Sequence, residues 1–173
     1  MRAENAWRFR GAEADDVDAL AALHVASWRW AYRGLLDADV LDRLSVDERA
    51  SMWRELIDGG ETVVVLAERG DRLLGFASGA ASRDDDARPG TGEVGAIYLA
   101  EEAAGTGLGT ELFVEIQGEL RARGFVRATL WVLESNARAR RFYEREGWRW
   151  DGSTSDHQIQ CDRQPIVRYA GDL

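Results

Sequence analysis

The segment that most constrains this chain is Leu99-Ala100-Glu101-Glu102-Ala103-Ala104-Gly105-Thr106-Gly107-Leu108-Gly109-Thr110. An apolar strand-like run passes into glycines at alternate positions and then into helix-forming residues. Glycine lets the backbone approach a ligand closely and presents consecutive N–H groups, and a helix start adds positive dipole. Such a place suits a phosphate or pyrophosphate. By itself the loop is also readable as a tight strand-to-helix turn. It is not the lysine-bearing phosphate loop, because all 22 basic residues are arginine. It is not the dinucleotide fingerprint either, since the spacing is Gly105-x-Gly107-x-Gly109.

Periodicity supplies the elements around it. Trp7–Arg10 reads as a short strand. Asp15 or Asp16 can cap a helix reaching about Trp30, with Leu20, Leu23 and Ser27 on one face. Ser45-Val46-Asp47-Glu48 matches a capping box opening a helix to about Ile57. Thr62–Glu68 and Arg72–Ala80 form a hairpin about Arg69-Gly70-Asp71. Ser82–Gly92, with Asp84-Asp85-Asp86 and Pro89-Gly90, reads as a solvated loop before a strand over Glu93–Leu99. A helix over Thr110–Arg123, a strand over Phe125–Leu133 and a short helix over Ala137–Glu146 follow. Trp148–Asp151 and Ile159–Tyr169 read as closing strands. The order β-α-α-β-β-β-α-β-α-β-β predicts one α/β domain over residues 1–173, with a central antiparallel hairpin and helix crossovers.

Charge narrows the function. The net charge of −9 argues against nucleic acid and anionic membranes as partners. It is uneven: residues 1–120 carry 12 arginines against 24 acids, and residues 121–173 carry 10 against 7. A locally positive end on an acidic body suits one anionic ligand, though arginines coating helices would look the same. No segment resembles a signal peptide or a membrane span, so a cytoplasmic location is expected. Two histidines and one cysteine predict neither a disulfide framework nor a metal site.

Two segments together resemble the GNAT superfamily of N-acetyltransferases. The first is Ile97-Tyr98-Leu99 with Gly105-Thr106-Gly107-Leu108-Gly109. The second is Leu130-Trp131-Val132-Leu133-Glu134-Ser135-Asn136 through Phe142-Tyr143 to Gly147-Trp148. The resemblance covers nearly the whole chain. It implies a mixed, mostly antiparallel sheet flanked by helices, with splayed strands forming an acetyl-CoA cleft. It also implies direct attack of an amine on the thioester, with acetyl-CoA as acyl donor. Ala104 stands where the family has Gln or Arg, which leaves a non-catalytic acyl-CoA-binding or sensing domain as the alternative.

Acetyl transfer needs a proton taken from the amine, an oxyanion stabilised and a thiolate protonated. By the resemblance, Tyr143 donates to the sulfur and Glu93 acts as base through water. Glu93 is equally readable as a solvated charge at a strand end. Backbone amides around Ile97, Tyr98 and Leu99 are the oxyanion candidates. Ala104, Gly105, Thr106, Gly107, Leu108, Gly109 and Thr110 would hold the pyrophosphate. Asn136 would cap its helix and meet the CoA arm, and Arg138 would meet phosphate, as could Arg145. Trp28, Trp30 and Tyr32 would face a small cationic amine. Two residues apart on a helix, Trp28 and Trp30 should point different ways, one into the core and one toward the cleft. A homodimer is compatible with the sequence but not required by it.

Overall fold

The computed structural model describes residues 7–160 and 162–173. Cys161, expected in a closing strand, lies outside the described residues. Strands β1 (Arg8–Gly11), β2 (Val63–Arg69), β3 (Arg72–Ala81), β4 (Thr91–Leu99), β5 (Arg127–Leu133), β6 (Arg149–Ile159) and β7 (Asp162–Asp172) form one sheet in the order β1-β2-β3-β4-β5-β7-β6. Every pairing is antiparallel except β4 with β5. The helices are α1 (Val17–Ala31), α2 (Ala38–Asp42), α3 (Val46–Gly59), α4 (Leu108–Ala122) and α5 (Ala137–Arg145).

The sheet has a core on each face. Leu20 and Ala21 of α1 and Trp53 of α3 pack on Val64, Leu66 and Phe76. On the other face Leu108, Leu112, Ile116 and Leu120 of α4 recur every four residues and are fully buried. Each such side chain contributes about 1.5–3 kcal/mol by leaving water. Tyr143 of α5 joins this second core with Phe113 and Trp148. Capping fixes the helix starts: Glu48 N donates to Ser45 Oγ at 3.2 Å, and Ala139 N donates to Asn136 Oδ1 at 3.1 Å.

Two irregularities shape the middle of the sheet. Gly79 pairs with Val94 but Ser78 pairs with Ala96, so Gly95 is an extra residue in β4. Such a bulge bends and twists its strand. Beyond it β4 leaves β5: their parallel pairing is confined to Thr91–Glu93 against Arg127–Thr129. The rest of β4 and β5 therefore bounds a wedge, closed at Glu93 and opening toward Leu99 and Leu133.

Several expectations are corrected. Asp16 does not cap α1 as its N-cap; its carboxylate accepts from Glu13 N at 2.8 Å, in a capping box on the turn just before α1, and is held by Arg10 at 2.6 and 2.7 Å. Helix α2 was not anticipated, being a single turn and a half with too few residues to show a period. The first closing strand, expected over Trp148–Asp151, runs on to Ile159, and the second lies over Asp162–Asp172 rather than Ile159–Tyr169, so the two form a hairpin of 11-residue strands. Residues 152–158 hid this because β6 is a largely exposed edge strand with polar residues on both faces. The aspartate loop is not merely solvated. Arg168, nearly buried, takes Asp86 through two 2.6 Å bonds, Asp84 at 3.1 Å and Asp151 at 2.7 Å. Asp84 also accepts from Trp131 Nε1 at 3.0 Å.

His24 is a buried core residue whose Nδ1 accepts from Trp53 Nε1 at 3.1 Å. Burial, helped by the Arg49 charge, pulls its pKa down to about 3. The unfolded imidazole takes its proton near pH 6.5, so stability falls as pH drops below that and levels off only near pH 3. Urea unfolding at pH 7 and pH 5 should show His24→Phe losing about 1–2 kcal/mol less than the parent over that interval. Equal losses would mean that the imidazole is charged in the fold.

Candidate active site

A cavity of about 1030 Å³ fills the wedge between β4 and β5. At its open end the chain leaves β4 through a 3₁₀ turn (Glu101–Ala103) and enters α4 through the glycines. Gly105 and Gly107 sit at φ +76° and +94°, and Gly107 is the residue before the first turn of α4. Apart from its chain neighbours, nothing lies within 4 Å of where a Cβ would stand on either glycine, so there is open space beside the loop. The start of a 15-residue helix lies behind it, and a helix start favours an anion. Arg141 and Arg145 of α5 line the same cavity and add positive charge.

The bulge decides what the walls present. Directly opposed residues of an antiparallel pair point to the same face. Glu93, Ala96 and Tyr98 oppose Ala80, Ser78 and Phe76, so all three face α1 and α3. Val94, Ile97 and Leu99 face α4. On the α1 side, Tyr32 and Tyr98 share a 2.9 Å hydrogen bond between hydroxyls, and the Tyr98 ring stacks on His24 with centroids 5.4 Å apart. Trp28 Nε1 is buried beside them and, among the described residues, has no partner within hydrogen-bond geometry. Tyr143 enters from α5, and its phenol has no hydrogen-bond partner among the described residues. Burial raises its pKa far above the usual phenol value, so it stays protonated at any physiological pH. At the closed end Arg83 N donates weakly to Glu93 Oε2 at 3.4 Å. Burial raises the Glu93 carboxyl, opposed by that hydrogen bond and the Arg83 charge, with Asp84 adding to the rise.

A glycine loop at the mouth of the wedge, a phenol in its wall and a carboxylate at its apex are the features this chain brings to a comparison with known proteins. The profile of the acetyltransferase (GNAT) family matches residues 20–148. The chain belongs to the GNAT family of acetyltransferases. It is 32% identical over 152 residues to a protein of Mycobacterium tuberculosis named as a probable N-acetyltransferase, covering 85% of this chain and 82% of that one. It is also 32% identical over 127 residues to an uncharacterized N-acetyltransferase of Bacillus subtilis, covering 73% and 72%. Among solved structures, the PaiA N-acetyltransferase of Thermoplasma acidophilum in complex with coenzyme A shares the fold. Its TM-score is 0.74 at 17% identity, covering 94% of this chain and 98% of that one.

In this GNAT member the residues singled out from sequence fall into two groups. Ile97, Tyr98, Leu99, Ala104, Gly105, Gly107, Gly109, Thr110, Asn136 and Tyr143 line the cavity, as do Glu93, Trp28, Trp30 and Tyr32. Thr106 and Leu108 do not. Thr106 Oγ1 donates to Ala103 O at 2.7 Å, which closes the loop on itself, and the Leu108 side chain is buried core. Arg138 also lines the cavity, and its guanidinium lies over the Trp30 ring at 4.5 Å, as that of Arg49 lies over Trp28 at 5.1 Å. Each tryptophan thus already carries one guanidinium of the protein on a face. Trp28 and Trp30 are both half-buried and both reach the cavity; Trp28 also packs against the core cluster of Val25, Leu36 and Val40, as one of the pair was expected to. Trp30 is the penultimate residue of α1, where its side chain can swing across to α5. Arg141 was missed, although Arg138, Arg141 and Arg145 recur at three and four residues on one helix face.

Proposed function

We propose that this chain is an acetyl-CoA-dependent N-acetyltransferase that passes the acetyl group directly to a small primary amine. The observation that carries this is the wedge itself, with a glycine cradle at its mouth and Tyr143 and Glu93 in its walls. The residues suit the donor. Loop amides from Gly105 to Thr110, with Arg141 and Arg145, would hold the diphosphate. That cationic pair supports anion binding despite the neutral side chain at Ala104. Asn136 spends its Oδ1 on the helix cap, which leaves its Nδ2 to donate to the pantetheine arm. The edge of β4 beyond Glu93 has no strand partner on the β5 side, so a pantetheine amide can add there as a strand would.

Each chemical task then has a group. The acceptor enters as an ammonium from the acidic half of the chain and is met by the Glu93 carboxylate, which takes a proton through water. The free amine attacks the thioester carbonyl; a C–N bond forms and the C–S bond breaks. An unpaired β4 amide near the bulge stabilises the oxyanion. Tyr143 gives its proton to the departing thiolate, and the second proton, shed by the nitrogen as the amide forms, passes through water to restore the phenol. Ammonium recognition rests here on Glu93 more than on the Trp28 and Trp30 faces, which arginines already occupy in part.

The test is free-thiol release from acetyl-CoA with a panel of amines, beside calorimetry of coenzyme A binding. Turnover with at least one amine is expected. Tight binding with no release for any amine would leave an acyl-CoA sensor. In Glu93→Gln, kcat/KM should fall about tenfold or more at pH 6–7 and recover as pH approaches the amine's own pKa. A profile unmoved from the parent's would place the base elsewhere.

A further inference from the structure

We infer that the acceptor is a zwitterion, a free amino acid whose ammonium meets Glu93 and whose carboxylate meets Arg83. This rests on the N-acetyltransferase reading and names its substrate class.

Arg83 and Glu93 line the same apex of the cavity, and the Arg83 amide lies 3.4 Å from Glu93 Oε2. The other charged groups beside them are engaged elsewhere. Asp84, Asp86 and Asp151 all bond Arg168, three carboxylates on one guanidinium, and Asp84 also holds the Trp131 indole. Arg83 and Glu93 are not engaged in this way. Among the described residues the Arg83 guanidinium makes no ion pair or hydrogen bond, and Glu93 makes no ion pair. One cationic and one anionic side chain are therefore left uncommitted side by side.

A simple amine would satisfy Glu93 and leave Arg83 repelling it. An amine that brings its own carboxylate satisfies both, and a guanidinium can bind a carboxylate through two parallel hydrogen bonds. The aspartate network gives the contact a fixed base. It ties loop residues 84 and 86 to β7, so the backbone that carries Arg83 is anchored on its C-terminal side. The opposite preference, for polycations stacked on tryptophan, is disfavoured because Arg49 and Arg138 lie over Trp28 and Trp30.

The experiment compares the twenty common amino acids with their amides and decarboxylated amines, using thiol release from acetyl-CoA by the parent, Arg83→Gln and Arg88→Gln. Binding of the same compounds to the protein saturated with coenzyme A is measured by calorimetry. We expect at least one amino acid to exceed its amide and its amine by about tenfold or more in kcat/KM, mainly through KM. Arg83→Gln should bring that ratio to within about twofold by raising KM for the amino acid alone. Arg88→Gln, an exposed arginine of the same loop, should leave it unchanged. Amides or amines equal to amino acids in the parent, or a preference that survives Arg83→Gln, would overturn the inference. If no compound is turned over, the transferase reading fails, and calorimetry still decides the recognition. Amino-acid binding abolished by Arg83→Gln supports it; binding that is absent or unaltered by the substitution refutes it.

Discussion

Replacing Tyr143 by Phe should lower kcat by about 10²–10³-fold, the worth of a positioned general acid. The ring is fully packed against Phe113, Phe142 and Tyr169, with centroids 5.3–6.1 Å apart, so the phenylalanine ring has the same seat. Only the hydroxyl is lost, and no described residue depends on it for a hydrogen bond. Thermal stability and coenzyme A affinity should therefore stay close to the parent's, within about twofold in Kd, while turnover collapses. The physical reason is the leaving group. A thiolate of ordinary pKa about 8.5 leaves more readily when a proton meets it as the C–S bond breaks. Burial makes Tyr143 a reluctant acid in the resting protein, and the charge that builds on the sulfur in the transition state is what draws its proton. Steady-state kinetics beside calorimetry checks both halves. Full activity in the variant would show that water or another hydroxyl donates, and the linked Tyr32 and Tyr98 hydroxyls would be the first to examine.

Gly107→Glu should weaken coenzyme A binding by about 100-fold or more, equivalent to about 2.7 kcal/mol. Gly107 lies at φ +94°, where any other residue is strained by roughly 1–2 kcal/mol, and it immediately precedes α4. The space above it is open, so the new side chain would stand where the diphosphate must sit and would carry like charge. Gly107→Ala separates the two effects. It carries the backbone strain with a single methyl and no charge, and should lose much less affinity than the glutamate. Calorimetry with coenzyme A gives the affinities, and thermal unfolding confirms that both variants fold. Unchanged affinity in Gly107→Glu would remove the loop from the binding site.

What was legible in the sequence was local. The glycine loop, the Ser45 and Asn136 caps, the β2–β3 hairpin and the apolar period of α4 each lie within a few residues. Each follows from backbone sterics, terminal hydrogen bonds or the 3.6-residue turn. The pairing of the two separated segments into one cleft came from resemblance, and the cavity brings Gly105, Gly107, Asn136 and Tyr143 together.

What the tertiary structure alone decided was set by contacts across long separations and by one extra residue. Strict alternation would put Glu93 on the face of Ile97 and Leu99. The bulge at Gly95 inserts one residue and moves Glu93 to the face of Tyr98, because side chains on a strand alternate with a period of two. The aspartates of the β3–β4 connection looked solvated because their partner, Arg168, is over 80 residues away in sequence. Trp30 and Arg138 meet only because α1 ends where α5 begins, on opposite sides of the wedge. Sequence thus fixed which short pieces form and what chemistry they carry. Register, bulge and long-range ion pairing depend on which surfaces the packed sheet brings face to face, and those decided which charges remain free to meet a ligand.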